Sequence, residues 1–139
     1  MSSELIFFVA AIIIVGILLF LMTSVTKNKG TVLDREDYQT RWLNIEQSLQ
    51  KDNPPTYKIA ILEADKLVDK ALVELGVPGN TFGDRLKKSD TKFSSIQSLW
   101  HAHRLRNKIA HEAGFSVNFD QTKRALNSFK RALKDLGAV

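Results

Sequence analysis

From Leu5 to Val25 the chain runs for twenty-one residues without a charged side chain. An α-helix of that length, at 1.5 Å rise per residue, spans about 31 Å, the thickness of a bilayer's hydrocarbon core. Such a run has no polar face to turn to water, so the remaining chain must fold without it. A cleaved signal peptide would begin on basic residues, carry a shorter apolar stretch and end on small residues. This chain begins Met1-Ser2-Ser3-Glu4, and its run ends on bulky residues shortly before Lys27. The expectation is a transmembrane anchor over residues 1–26, crossing the cell membrane once. Lys27 and Lys29 follow the run and no Lys or Arg precedes it. The excess of basic residues on the inner side puts the N-terminus outside and the rest in the cytoplasm.

After a polar linker over residues 27–33, apolar positions recur at helical spacing from residue 34 to residue 139. Asp34 can cap a helix with Glu36 and Asp37 in its first turn, where Tyr38, Trp42, Ile45 and Leu49 form one stripe. That helix should stop before Asp52-Asn53-Pro54-Pro55. Thr56 is placed to cap the next, whose face is Ala60, Ile61, Ala64, Leu67, Val68, Ala71, Leu72 and Leu75, with Gly76 ending it. Asp65 lies at the edge of that face and Glu63 further round. A short helix fits Thr81 to Lys88, and Ser89 or Asp90 breaks it. A long helix fits Ile96 to Ala113. Asn118 can cap the last one, whose core positions are Phe119, Thr122, Leu126, Phe129, Leu133 and Leu136. No stretch alternates as a strand does, and no Gly-rich phosphate loop is present. The fold class is therefore all-α: an up-down helical bundle of four main helices plus one short helix, behind a single transmembrane helix.

The helix over Ile96 to Ala113 breaks its own pattern. At 100° per residue, Ile96, Leu99, Trp100, Ala102, Leu105, Ile109, Ala110 and Ala113 fill an apolar arc of roughly 220°. Packing against one side of a core needs only somewhat over 100°. Such a helix is either central in its bundle or shared between a bundle and a second subunit. Arg106 falls in the middle of the arc, with His103 and Asn107 also inside it and His111 at its edge. A guanidinium in an apolar layer is costly unless it is paired or the layer opens onto a ligand. Glu63 and Asp65 are the acids that could pair it.

Arg106-Asn107-Lys108-Ile109-Ala110-His111, with Glu112 after it, resembles the Arg-polar-spacer-His motif of the HEPN superfamily (higher eukaryotes and prokaryotes nucleotide-binding domains). The resemblance runs from about Tyr57 to Leu136 and includes the helix from Ile61 to Leu72, similar to the family's first core helix. It implies a small all-α bundle acting as a metal-independent ribonuclease, with motifs meeting across a homodimer. On the residues alone, His111 can move protons near neutral pH, and Arg106 can grip phosphate oxygens with two parallel bonds. Asn107, four residues before His111, can orient the imidazole or a phosphate. Five residues put Arg106 and His111 roughly 140° apart on a regular helix, so a bent helix end or a second copy is needed to bring them together. The expected function is a membrane-anchored endoribonuclease working through Arg106, His111 and Asn107. The alternative is a non-catalytic anchored module that binds RNA, nucleotide or a protein partner.

The charge split suits a polyanion partner, with RNA or nucleotide the one expected, or an anionic membrane surface. Residues 81–139 hold twelve Lys/Arg against five Asp/Glu, whereas residues 27–80 hold eight against nine. Composition alone slightly favours a merely solvated basic face. With no cysteine there is no disulfide frame, and His101, His103 and His111 lack the spacing and carboxylates of a zinc site, so neither metal nor cofactor is expected. The plainer readings are Arg106 as a strut on Glu63 or Asp65, His111 as a helix-end cation, and His103 as a core or interface histidine.

Overall fold

The computed structural model describes residues 2–26 and 32–139, which form two units. The first holds α1 (Ser3–Thr26). Its side chains from Leu5 to Met22 are exposed, and Ser3–Met22 has a mean hydropathy of 3.3. This helix is long and apolar enough to cross a membrane, a property that signal sequences share. Lys27, Lys29 and most of the expected linker lie outside the described residues.

The second unit is all helical among the described residues: α2 (Arg35–Ser48), α3 (Pro55–Glu74), α4 (Phe82–Lys88), a 3-10 turn (Asp90–Lys92), α5 (Ile96–His111) and α6 (Phe119–Asp135). Three contacts set the directions. Tyr38 near the start of α2 donates its hydroxyl to Glu74 at the end of α3, at 2.8 Å. Tyr57 at the start of α3 meets Phe119 at the start of α6, ring centroids 5.8 Å apart. Ser94, just before α5, bonds Asp135 at the end of α6 through its N–H and its hydroxyl, both at 2.8 Å. Glu46 of α2 also pairs with Lys130 of α6 at 2.8 Å, tying the two helices where they cross. Neighbours in sequence therefore run antiparallel, which is the up-down bundle expected.

α3 is the central helix and packs against α2, α4, α5 and α6. Its Ala60, Ile61, Ala64, Val68, Ala71 and Leu72 are fully buried, facing Tyr38 and Trp42 of α2 and Leu126, Phe129 and Leu133 of α6 in one core. The small residues let partner backbones come close on several sides. Leu33, the last residue of the expected linker, is buried in this core.

The ends follow the capping chemistry. The Asp34 side chain accepts from the N–H of Asp37, and Asn118 forms a reciprocal pair with Gln121. Gly76 and Gly137 sit at φ of 78° and 74°, and the N–H of the next residue reaches back to Leu72 and Leu133 respectively. Thr56 departs from expectation. α3 starts at Pro55 without a side-chain cap, and Thr56 lies in its first turn. Its hydroxyl donates to the carbonyl of Asn53 and accepts the N–H of Gln50, tying the preceding loop instead. A proline needs no N–H partner at a helix start, so the cap is dispensable there.

Candidate functional site

α5 ends two residues sooner than expected. The N–H of Glu112 still bonds Lys108, and Gly114 at φ of 76° turns the chain away. Buried along α5 are Leu99, Ala102 and His103. The wide apolar arc is divided among neighbours. Ala102 and Leu105 face α6 residues Gln121 and Ala125, and His103 meets Phe82 of α4 edge to face at 4.8 Å. Trp100 packs on His103 at 6.0 Å. Trp100 and Ile109 stay half-buried, and Ala110 and Ala113 are exposed.

α4 is short but firmly seated. Thr81 caps it by accepting the N–H of Asp84 at 3.1 Å. Arg85 forks onto Asp69 of α3 through Nε at 2.6 Å and Nη2 at 3.0 Å, and also donates to the Gly79 carbonyl. This pairing stands α4 beside α3 as a wall. Between that wall, α3 and α5 lies a cleft of about 830 Å³. Arg106, Asn107 and His111 all line it, together with the cations Lys66, Lys87 and Arg104 and the acids Glu63, Asp65, Asp69 and Asp84. The fold thus brings the three candidate residues to one opening, although Arg106 and His111 are not neighbours on the helix surface.

Arg106 does not lie in an apolar layer. It sits at the cleft margin with a third of its side chain exposed, and its Nε faces Asp65 Oδ2 at 3.3 Å. Of the two acids weighed for this role, Asp65 takes it; Glu63 is exposed and lines the cleft rim. Asp65 itself is buried, and its other oxygen contacts His103 Nδ1 at 2.7 Å. Burial holds its carboxyl above the usual carboxylate range, while the His103 bond and the Arg106 charge pull it the other way. Asn107 accepts from Arg106 Nη1 at 3.0 Å, and its amide nitrogen lies 3.3 Å from His103 Nε2. His111 is exposed, and no side chain among the described residues bonds to it.

The site therefore includes two residues that helix periodicity placed in the frame. His103 is a buried histidine, as its position on the wheel suggested, but it is bonded to both Asp65 and Asn107. The available signal was spacing: His103, Arg106 and Asn107 stand at i, i+3 and i+4, one face of a helix. Asp65 likewise falls on the i, i+4 row of Ile61 and sits directly beside buried Ala64 and Val68. A smaller hollow of about 380 Å³ between α2 and α3 holds Arg41, Ile59 and Lys70 and none of the three candidate residues. Among the described residues no three His, Asp or Glu side chains converge as a metal shell. No protein-family model, no curated protein and no solved structure matches this chain.

Proposed function

We propose that this chain is a membrane-anchored, metal-independent endoribonuclease of the HEPN type, acting through Arg106, Asn107 and His111. The observation that carries the reading is that these three side chains line a single solvent-open cleft, with the back edge of Arg106 turned to Asp65. A guanidinium with one edge turned to a carboxylate and one Nη1 N–H on Asn107 keeps its remaining outer N–H groups for phosphate oxygens and stabilises the charge that grows on a phosphorane. In the reaction the 2′-oxygen bonds to phosphorus as the bond to the 5′-oxygen breaks. The 2′-hydroxyl proton leaves to a base, and the 5′-oxygen takes one from an acid. His111 serves one of these proton transfers. A second copy of the chain, docked along α5, supplies the other. The products are a 2′,3′-cyclic phosphate and a 5′-hydroxyl.

The test is the full chain in detergent, incubated with mixed cellular RNA and excess EDTA. Cleavage that survives chelation, yields those ends and vanishes in His111→Ala supports the enzyme. The second reading, a non-catalytic binding module, is favoured by the exposed His111, which no side chain among the described residues orients. Tight RNA binding without cleavage would establish it in place of the enzyme.

A further inference from the structure

Four side chains of the cleft close into a ring. His103 Nδ1 meets Asp65 Oδ1 at 2.7 Å, and His103 Nε2 meets the Asn107 amide nitrogen at 3.3 Å. Asn107 Oδ1 accepts from Arg106 Nη1 at 3.0 Å, and Arg106 Nε faces Asp65 Oδ2 at 3.3 Å. The ring has a direction. A carboxylate can only accept and a guanidinium can only donate, so His103 must carry its proton on Nδ1 and accept at Nε2. The Asn107 amide then points its nitrogen at His103 and its oxygen at Arg106. The three hydrogen bonds of the ring match donor to acceptor only while His103 is neutral, and the fourth link, Arg106 Nε to Asp65, is an ion pair without an aligned hydrogen bond.

We propose that His103 is a positioning residue whose protonation state sets the orientation of Asn107 and, through it, of Arg106. The proposal deepens the reading of this cleft as a phosphate-binding site and rests on it. Adding a proton to Nε2 puts two donors face to face across 3.3 Å. The Asn107 amide must turn over to offer its oxygen to His103. Its nitrogen then confronts Arg106 Nη1, another donor, and the ring opens at that link. Arg106 Nε cannot hold the guanidinium alone: it is buried, and its contact with Asp65 is not aligned as a hydrogen bond. The guanidinium loses its fixed orientation, and the cleft loses its organised grip on phosphate.

His103 is enclosed by three helices. From α3 it faces Asp65, with Asp69 one turn on and already paired to Arg85. From α4 it meets the Phe82 ring. On α5 its neighbours are Trp100, Asn107 and Arg106. Glu63, Lys66, Asp84, Lys87, Arg104 and His111 line the same cleft.

The experiment is nuclear magnetic resonance on the full labelled chain in detergent micelles, across about pH 5 to 8, the range where an imidazole titrates. His103 ring nitrogens, the Asn107 side-chain amide and the Arg106 Nε–H are followed, with and without inorganic phosphate. The expected result is one shared midpoint for all three residues. Phosphate affinity relative to His103→Gln should fall on the acid side of that midpoint, by up to about tenfold per pH unit. A histidine that merely fills space would lose affinity equally at every pH in that variant. Should the variant not fold, the shared midpoint in the wild-type chain decides alone. An Asn107 amide that stays still while His103 titrates overturns the proposal, as does a His103 that does not titrate in this range. RNA cleavage without the shared midpoint removes the positioning role and leaves the enzyme standing. A shared midpoint without cleavage removes the enzyme and leaves the positioning role.

Discussion

Asp65 of α3 receives His103 of α5 at 2.7 Å, a bond between two nearly sealed side chains thirty-eight residues apart. The same carboxylate faces Arg106 with its second oxygen. Removing Asp65 would strand both an imidazole and a guanidinium edge away from water. Asp65→Ala should therefore cost about 3–5 kcal/mol of stability. A change below about 1 kcal/mol in a denaturant titration would show that the pair contributes nothing net.

Arg106→Ala should cost less, about 1–2 kcal/mol, because a third of the side chain is in water and His103 still satisfies one oxygen of Asp65. Phosphate or RNA affinity should collapse in the same variant. Arg106→Lys should recover little of it, since a point charge cannot reproduce a planar fork. Intact RNA binding beside a large stability loss would make Arg106 a strut and nothing more.

Burial raises the Asp65 carboxyl, which fixes the sign of one pH effect. A group whose native pKa exceeds its unfolded value of about 3.9 stabilises the fold most at low pH. That contribution fades as pH rises from about 4 through the native titration. Wild type should thus lose ground to Asp65→Asn across that window in paired denaturant midpoints. If wild type gains on the variant instead, the His103 and Arg106 partners outweigh burial.

The dimer expectation is best tested at Ala110. It is exposed on α5, so Ala110→Glu should leave the fold intact while blocking a second α5 from docking. Trp100 is a poorer probe because it packs on His103. Wild type that sediments in detergent as a monomer at micromolar concentration would remove the shared interface.

Lys27 and Lys29 predict a cytoplasmic C-terminal unit if α1 spans the membrane. Protease added to intact cells should leave residues 32–139 whole, as judged by blotting with an antibody to that unit. Digestion from outside would reverse the orientation.

Helix positions, bundle class and the caps at Asp34 and Asn118 could be read from residues 34–139 because each depends on local chemistry, whereas the cap expected at Thr56 is not formed. Asp34 and Asn118 cap through bonds spanning three residues, and the stripes on α2, α3 and α6 repeat at helical spacing. The apolar run of α1 declared itself by length alone. Arg106, Asn107 and His111 stood out because a cation on an apolar arc conflicts with its position. Tertiary structure resolved the conflict. Only the packing of α5 on α3 chooses Asp65 over Glu63, since both are within one turn and periodicity cannot say which acid a helix from elsewhere will cover. Only α4, stapled by Arg85 to Asp69, turns a helix face into a cleft wall. His103 joined the site for the same reason. A buried histidine is simply core until its two ring nitrogens have partners, and those partners lie on two different helices.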